Sequence, residues 1–439
     1  MWLWKFTCGC ILRLNVLCVQ TVLQTSRIWI YILVLSTWSK ELIAKIQSLE
    51  AHNIQLQNII NKSQNKSSLN SISNNFDFLK CRFRHILLHV FYLGWDYQGF
   101  AVQEDTTNTI EYHLFKALMK TCLIKNRESA NYHRCGRTDK GVSSFGQVIS
   151  IDVRSKLSNL TEKDLDNEID YCKVLNRVLP SNIQCVAWAP SQSDFSARFN
   201  CISRTYKYYF PKGNLNIHKM REASKYLIGS HDFRNFAKMD VGNGVVQFVR
   251  NILEFQIQPW NLNRDIKDEF SLYVAIIKGN AFLWHQIRYI MSVLFLIGAN
   301  KEEPSLVLKL LNVKENPRKP EYNMASEIPL NLFFCEYDEV TWKVSQESLR
   351  AVIQKLQQIW YFTTAKSSMI RDVISNLLGK LEVTTEITCL SECLISGAKS
   401  KKYIPIMKRK TCESLEDKIQ HYSKRKRIKV VVKSSENNK

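Results

Sequence analysis

The chain has 439 residues, enough for two or three domains, because single hydrophobic cores stop growing near about 250 to 300 residues. Its 45% hydrophobic and 11% aromatic content argues for a mostly globular chain and against disorder. The 61 Lys and Arg against 40 Asp and Glu leave a formal charge of +21, which points to a polyanionic partner, nucleic acid first and an anionic membrane surface second.

Within the first 40 residues, "RIWIYILVLSTW" is apolar for about a dozen positions, short of the roughly 20 a spanning helix requires. No acid precedes Glu41, which leaves a degenerate signal or mitochondrial leader, a membrane tether and a poorly ordered terminus as alternatives. From 41 to 60, Leu42, Ile46, Leu49, Leu56 and Ile60 recur at amphipathic or coiled-coil spacing, and a Ser/Asn linker follows to about 79. Residues 41–79 thus form a helix and linker ahead of the folded region.

"RHILLHVFYLG" reads as a buried strand and "NTIEYHLFKALMKTCL" as a helix, with Asn108 as cap, Glu111 three positions on, and Ile110, Leu114 and Leu118 on one face. "QVISIDV" alternates as a strand, "EKDLDNEIDYCKVLNRVL" predicts a helix stopped by Pro180, and "IQCVAWA" and "RTYKYYF" are strands. The second half adds helices at "IHKMREASKYLIG", "HQIRYIMSVLFLIG" and "PSLVLKLLN" and strands at "ILEFQIQ" and "FSLYVAIIKG". Runs of paired strands without intervening helices argue for an antiparallel or mixed sheet in two α+β subdomains, 80–213 and 214–360. Residues 361–439 form a basic extension; from 395 on it carries 14 Lys or Arg against 4 acids, including "KRKR" at 424–427, so that a solvated tail, RNA contact and nuclear import are all open.

The 13 cysteines are scattered, and Cys8/Cys10 and Cys389/Cys393 lack a second pair at zinc spacing, so reduced thiols and no metal site are expected. Gly94 and Gly99 have P-loop spacing, but Phe100 and Ala101 replace the required Lys and Ser or Thr, so these glycines are expected to shape a strand end. His231 and Asp232 are adjacent and read as loop structure, not a dyad.

The chemically pointed stretch is "YHRCGRTDKGVSSFGQVISIDV": Arg134, Arg137 and Lys140 surround the lone acid Asp139, between Gly136 and Gly141. Three bases favour an ionised carboxylate able to act as nucleophile or base, although a structural ion-pair loop has the same pattern. Tyr206 stands on a strand face with Tyr208 and Phe210, and its ring suits base stacking as well as core packing. Arg288, off the apolar face of its helix, suits pairing with Asp139 or phosphate as well as a plain surface role.

Five segments in order, "YLGWDYQGFAVQ", "RCGRTDKGVSSFGQVISI", "FSARFNCISRTYKYYF", "GSHDFRNFAKMDV" and "AFLWHQIRYIMSVLFLIG", resemble the TruA family of tRNA pseudouridine synthases over roughly 80–340. The likeness is closest to the eukaryotic branch acting on uridines 38 and 39 of the anticodon stem-loop, with weaker similarity in the 41–60 helix and in "CESLEDKIQHYSKRKR". It implies two ferredoxin-like α+β subdomains joined in a continuous, mainly antiparallel sheet, with helices on one side and a basic central cleft. It implies Asp139 as the catalytic aspartate, with Arg137 as its motif partner, Tyr206 as the active-site tyrosine, Arg288 as the arginine pairing with Asp139, and Arg198, with Arg134 and Lys140, as RNA-facing bases. Ser144, where alanine is usual, and Trp284, where tyrosine is common, depart from the pattern; Trp284 would narrow the cleft.

The implied reaction uses no cofactor: uracil is cut from its ribose, turned and rejoined through carbon 5, with Asp139 either attacking the anomeric carbon or removing a sugar proton. The implied partner is the tRNA anticodon stem-loop, without membrane attachment; the family allows monomers and homodimers, and 41–60 offers a dimer contact. Nucleus and cytoplasm are the expected locations. A non-catalytic tRNA-binding or folding factor that keeps the cleft is the competing reading.

Overall fold

A computed structural model describes residues 76–157, 162–260, 271–380, 394–395 and 403–426. The readings made for 1–40, for the 41–60 helix, for Cys8/Cys10 and Cys389/Cys393 and for the side chains of "KRKR" lie outside the described residues. The strands are β1 (Arg82–Tyr92), β2 (His133–Arg134), β3 (Ser143–Ser155), β4 (Ile183–Pro190), β5 (Ser203–Pro211), β6 (Gly229–Asp232), β7 (Val249–Pro259), β8 (Leu272–Gly279) and β9 (Leu330–Glu336). The helices are α1 (Ile110–Lys120), α2 (Tyr171–Asn176), α3 (Ile217–Lys225), α4 (Gln286–Gly298), α5 (Leu306–Leu311), α6 (Gln346–Leu378) and α7 (Leu415–Lys426).

One nine-stranded sheet runs β4-β1-β3-β9-β5-β8-β7-β6, with β2 paired to β3. Its pairings are antiparallel except the short parallel contact of β3 with β9, at Ser143–Asn331 and Ser144–Leu332, where the halves join. This is the α+β class with a continuous, mainly antiparallel sheet. β5, counted with the first half on sequence, pairs only with β8 and β9 of the second.

Strand alternation divides the core. Ile86, Leu88 and Val90 of β1 and Ile149, Ile151 and Val153 of β3 pack with α1 and α2 residues such as Leu114, Leu118 and Leu175. Leu87 and Val148 pack on the other face with Ala189, Ala197 and Leu332. Both faces are covered, so Ser150, polar by alternation, is buried too and accepts from the Ala197 N–H. In the second half Tyr208 and Phe210 pack with α3 and α4, and α4 is buried nearly all round.

Several local readings are corrected. The cap of α1 is Thr109, whose side chain accepts from Tyr112 N, while Asn108 bonds the Asp96 carbonyl. The helix expected over 162–179 divides into a 3-10 turn, Glu162–Asn167, and the short α2. The cause is local: Asp170 caps α2 through Lys173 N, while Glu168 turns inward to Ser155, to the backbone N–H of Lys156 and Ile169, and to Arg84. His231 and Asp232 lie on β6 instead of in a loop; Asp232 pairs with Arg234 and His231 bonds Ile228 O, so they form no dyad. The extension is not simply a solvated tail: α6 runs through position 360, and Ile406 and Leu415 are buried in the second-half core. Among the described residues no helix is long and apolar enough to cross a membrane.

Candidate active site

Asp139 sits on the loop between β2 and β3, and backbone bonds fix that loop before any side chain is considered. Phe100 N donates to Thr138 O at 3.1 Å, Gly141 N to Tyr97 O at 3.1 Å and Val142 N to Asp139 O at 3.2 Å. The Tyr92 hydroxyl meets the Thr138 hydroxyl at 2.7 Å, and Gln147 Nε2 donates to Gly136 O at 2.9 Å. The glycines after β1 make this closeness attainable: a Cβ at Gly94 would lie 1.9 Å from Val142 O, and Gly99, at φ +109°, backs onto Thr138 and Asp139. Gly94 and Gly99 therefore shape a strand end, and that end is the platform beneath the loop.

The crowd of bases seen in sequence does not close around Asp139. Arg134 pairs with Glu111, a fully buried acid on α1 that also accepts from Arg127 at 3.1 Å, from the Tyr132 hydroxyl at 2.8 Å and from Val102 N at 2.9 Å. Burial pushes the Glu111 carboxyl up, but the Val102 N–H, Arg134, Tyr132 and Arg127 prevail, and it lies below the usual range. Arg137 and Lys140 are exposed, as is Arg198, whose guanidinium lies 5.2 Å from the Phe199 ring centroid. Burial first, then the charges of Arg134 and Arg198, lower the Arg137 pKa, so these three arginines form one positive patch beside the loop.

The partners of Asp139 come instead from the turn into α4. Trp284 Nε1 donates to Asp139 Oδ1 at 3.1 Å, and His285 Nε2 lies 3.5 Å from Oδ2. Burial, with Arg288, Lys238 and Lys319, depresses His285 to about 4, so it is neutral at physiological pH and the contact is polar, not an ion pair. Burial raises the Asp139 pKa, opposed by the positive field of Arg288, the indole N–H and Lys238, and reinforced by Glu327. The carboxylate, with about a quarter of its side chain exposed, is reachable and more basic than a free aspartate.

Arg288 is buried, not superficial. Its Nε donates to Ala325 O at 2.8 Å and its Nη2 to Glu327 at 2.7 Å, so it acts on Asp139 through space while its direct bonds go elsewhere. Glu327 packs against Gly141, where a Cβ would stand 2.7 Å from Glu327 Cγ. Lys238 Nζ lies 4.2 Å from the Trp284 ring centroid, so the residue that departs from the family pattern both anchors a cation and donates to Asp139. The backbone turn itself is unusual: His285 precedes α4 at φ +63°.

Tyr206, central on β5, packs between the second-half core and the opposite-face cluster, with its ring edge-on to Phe282 at 5.2 Å. Burial holds its hydroxyl pKa well above 10, with Tyr92 among the nearby groups that act on it, so the phenol is neutral. The structure thus brings Asp139, Trp284, His285 and Arg288 together, sets Tyr206 beside Phe282 in the same segment, and leaves Arg137, Lys140 and Arg198 at the surface. Sequence reasoning missed Glu111 as an ion-pair hub, as well as His285, Lys238 and Glu327. No spacing rule connects His285, Lys238 and Glu327 to Asp139, which they approach through tertiary packing.

Residues 223–338 match the family described as tRNA pseudouridine synthase. The chain is 44% identical over 382 residues to the tRNA pseudouridine(38/39) synthase of Bos taurus, covering 80% of this chain and 79% of that one. It is 41% identical over 418 residues to the protein of the same name from Homo sapiens, covering 89% and 87%, and 35% over 428 residues to that from Saccharomyces cerevisiae, covering 90% and 93%. This similarity across most of its length means that the chain belongs to the TruA family of tRNA pseudouridine synthases, the isomerases of uridine in tRNA.

Proposed function

We propose that the chain flips uridines 38 and 39 out of the tRNA anticodon stem-loop and isomerises them with Asp139 as the reacting carboxylate. The observation that carries this reading is the seat of Asp139: a mostly buried, reachable carboxylate on a loop pinned through Tyr97, Phe100 and Tyr92, accepting the Trp284 indole N–H within the field of Arg288. Its raised pKa makes it a better base and nucleophile than an ordinary aspartate, and the counter-charges keep it ionised near neutral pH.

A base inside a stem must leave the stack before its glycosidic bond can be reached, and Tyr206 offers the receiving face. Asp139 then attacks the anomeric carbon as the bond to nitrogen breaks, and the resulting ester bond breaks in turn when carbon 5 of the turned uracil attacks; alternatively it removes a sugar proton as the base departs and returns it when carbon 5 adds. Because burial keeps Tyr206 neutral, it stacks and relays the carbon-5 proton to the ring nitrogen freed from the sugar instead of accepting it as a phenolate. Arg137, Lys140 and Arg198, exposed at the surface, would meet the phosphates, while Arg134 is committed to Glu111. We infer a homodimer as well. From Trp360 to Val373 every residue of α6 is exposed, and Phe362, Met369, Ile370, Val373 and Leu377 form an apolar stripe that suits a second copy of the same helix. The "KRKR" run supports a nuclear pool besides a cytoplasmic one, to be checked by deleting 423–429 and finding nuclear signal reduced.

The substrate assignment is tested with unmodified transcripts. Pseudouridine is expected at 38 and 39 where uridine stands there, and no product is expected when both are replaced by cytidine. Conversion confined to other positions contradicts the assignment.

A further inference from the structure

Behind the acidic loop, three cysteines that no sequence motif connects meet in one place. Cys135 follows β2 and opens the loop that carries Asp139, Cys201 leads into β5, and Cys335 lies on β9. Cys201 and Cys335 are 66 and 200 residues from Cys135 along the chain, yet their sulfurs lie 3.5 and 3.2 Å from its sulfur, and all three ligand atoms fall within 4.8 Å of one another. The trio is buried among Leu87, Val148, Ala189, Ala197 and Leu332. The Arg204 guanidinium reaches the same spot, donating to Cys135 O at 3.2 Å.

We propose that Cys135, Cys201 and Cys335 hold a structural zinc ion that fastens the catalytic loop to β5 and β9. Three converging thiols are a soft ligand set, which zinc and copper(I) both favour. Charge distinguishes them: three thiolates with Zn²⁺ carry one negative charge, which Arg204 balances, whereas copper(I) would leave two in a buried place. Zinc–thiolate bonds of about 2.3 Å require sulfurs about 3.8 Å apart in a tetrahedral site, so Cys135 would move away from Cys201 and Cys335 by about 0.3 and 0.6 Å.

The Tyr337 ring packs against the same cluster, with its hydroxyl donating to Ala197 O at 2.6 Å. Binding releases the three thiol protons to solvent. The ion touches no substrate: Cys135 precedes Asp139 by four positions and Cys201 precedes Tyr206 by five, so its role is to hold the loop against the strand that bears the stacking ring.

The test is metal analysis of the full-length chain, purified without chelators, by plasma mass spectrometry. About one zinc per chain is expected from this site. Cys135→Ser, Cys201→Ser and Cys335→Ser should each lower the zinc content by that one equivalent, while Cys172→Ser, a buried cysteine outside the trio, should leave it unchanged. Should a serine variant fail to fold, cobalt(II) exchange into the wild-type chain decides instead, with thiolate-to-metal charge-transfer absorption of three-sulfur intensity expected. Zinc-free wild-type protein, undiminished zinc in a folded Cys201→Ser chain, or a non-reducing peptide map showing a Cys135–Cys335 disulfide overturns the proposal. None of these readouts depends on pseudouridine formation.

Discussion

Asp139 is the residue at which the simplest reading of charge misleads. Three neighbouring bases suggest a depressed pKa, yet burial raises it, and the positive groups that act on it are Arg288 and Lys238 from distant segments. Activity that needs the carboxylate ionised therefore falls as pH drops through this raised value, above the range of a free aspartate. Trp284→Phe removes an N–H that favours the ionised form, so the acidic limb of the kcat/KM profile should move to higher pH; a limb that stays put or moves down would contradict the role given to the indole. The exposed arginines act differently. Arg198→Gln should weaken tRNA binding and reduce the slope of log K against log salt by about one, and an unchanged slope would remove Arg198 from the phosphate contacts.

Among the elements, α1 is tied to the approach of the acidic loop by Glu111, whose carboxylate meets Arg127, Tyr132 and Arg134 from a single stretch of chain. Breaking this buried cluster with Glu111→Ala should cost about 3 kcal/mol, read as a lowered melting temperature or denaturation midpoint, since Arg134 is left without its partner. The pH dependence has a definite sign. The folded pKa is depressed, so the contribution is complete above the unfolded value of about 4.3 and is lost as pH falls through the lower folded value. The variant's stability deficit should therefore shrink on acidification; a deficit that is constant with pH would mean that only packing was lost.

The same helix shows what sequence pattern reveals and what it omits. Leu114 and Leu118 identify its buried face by spacing, but Glu111 reads as a capping residue, because its true partners lie 9 to 23 positions away and no local rule reaches them. β1, β3 and β5 are legible from alternation and β-branched content, whereas α2 is overestimated, since Glu168 and Asp170 favour local side-chain bonds over helix. β9 goes unread although it joins the halves. Leu330 and Leu332 alternate, but the exposed Phe334 blurs a seven-residue pattern. The loop position of Asp139 and the strand position of Tyr206 are legible in sequence, while Lys238, His285 and Glu327 approach Asp139 only through tertiary packing.

On the scale of the whole molecule, the two halves share one sheet through the short β3–β9 contact, and the acidic loop enters β3 at that seam. The seat of Asp139 and the joining of the halves thus depend on the same few strands. α6 extends from this body with its N-terminal turns anchored, Val352 buried and Lys355 Nζ donating to Gln184 at 2.9 Å, while its later turns stay open. Light scattering on the purified chain should give twice the 51.2 kDa protomer mass, and Met369→Glu with Val373→Glu should shift it to one protomer; a monomeric wild type would refute the dimer.

The most direct test of the central claim is pseudouridine mapping on an unmodified tRNA transcript, incubated with wild-type chain and with Asp139→Asn, a variant that keeps the size and polarity of the side chain but not its charge. Wild-type protein should yield pseudouridine at 38 and 39, and the variant should bind the transcript with similar affinity while its rate falls by at least about a hundredfold. Equal product from both proteins would contradict the account.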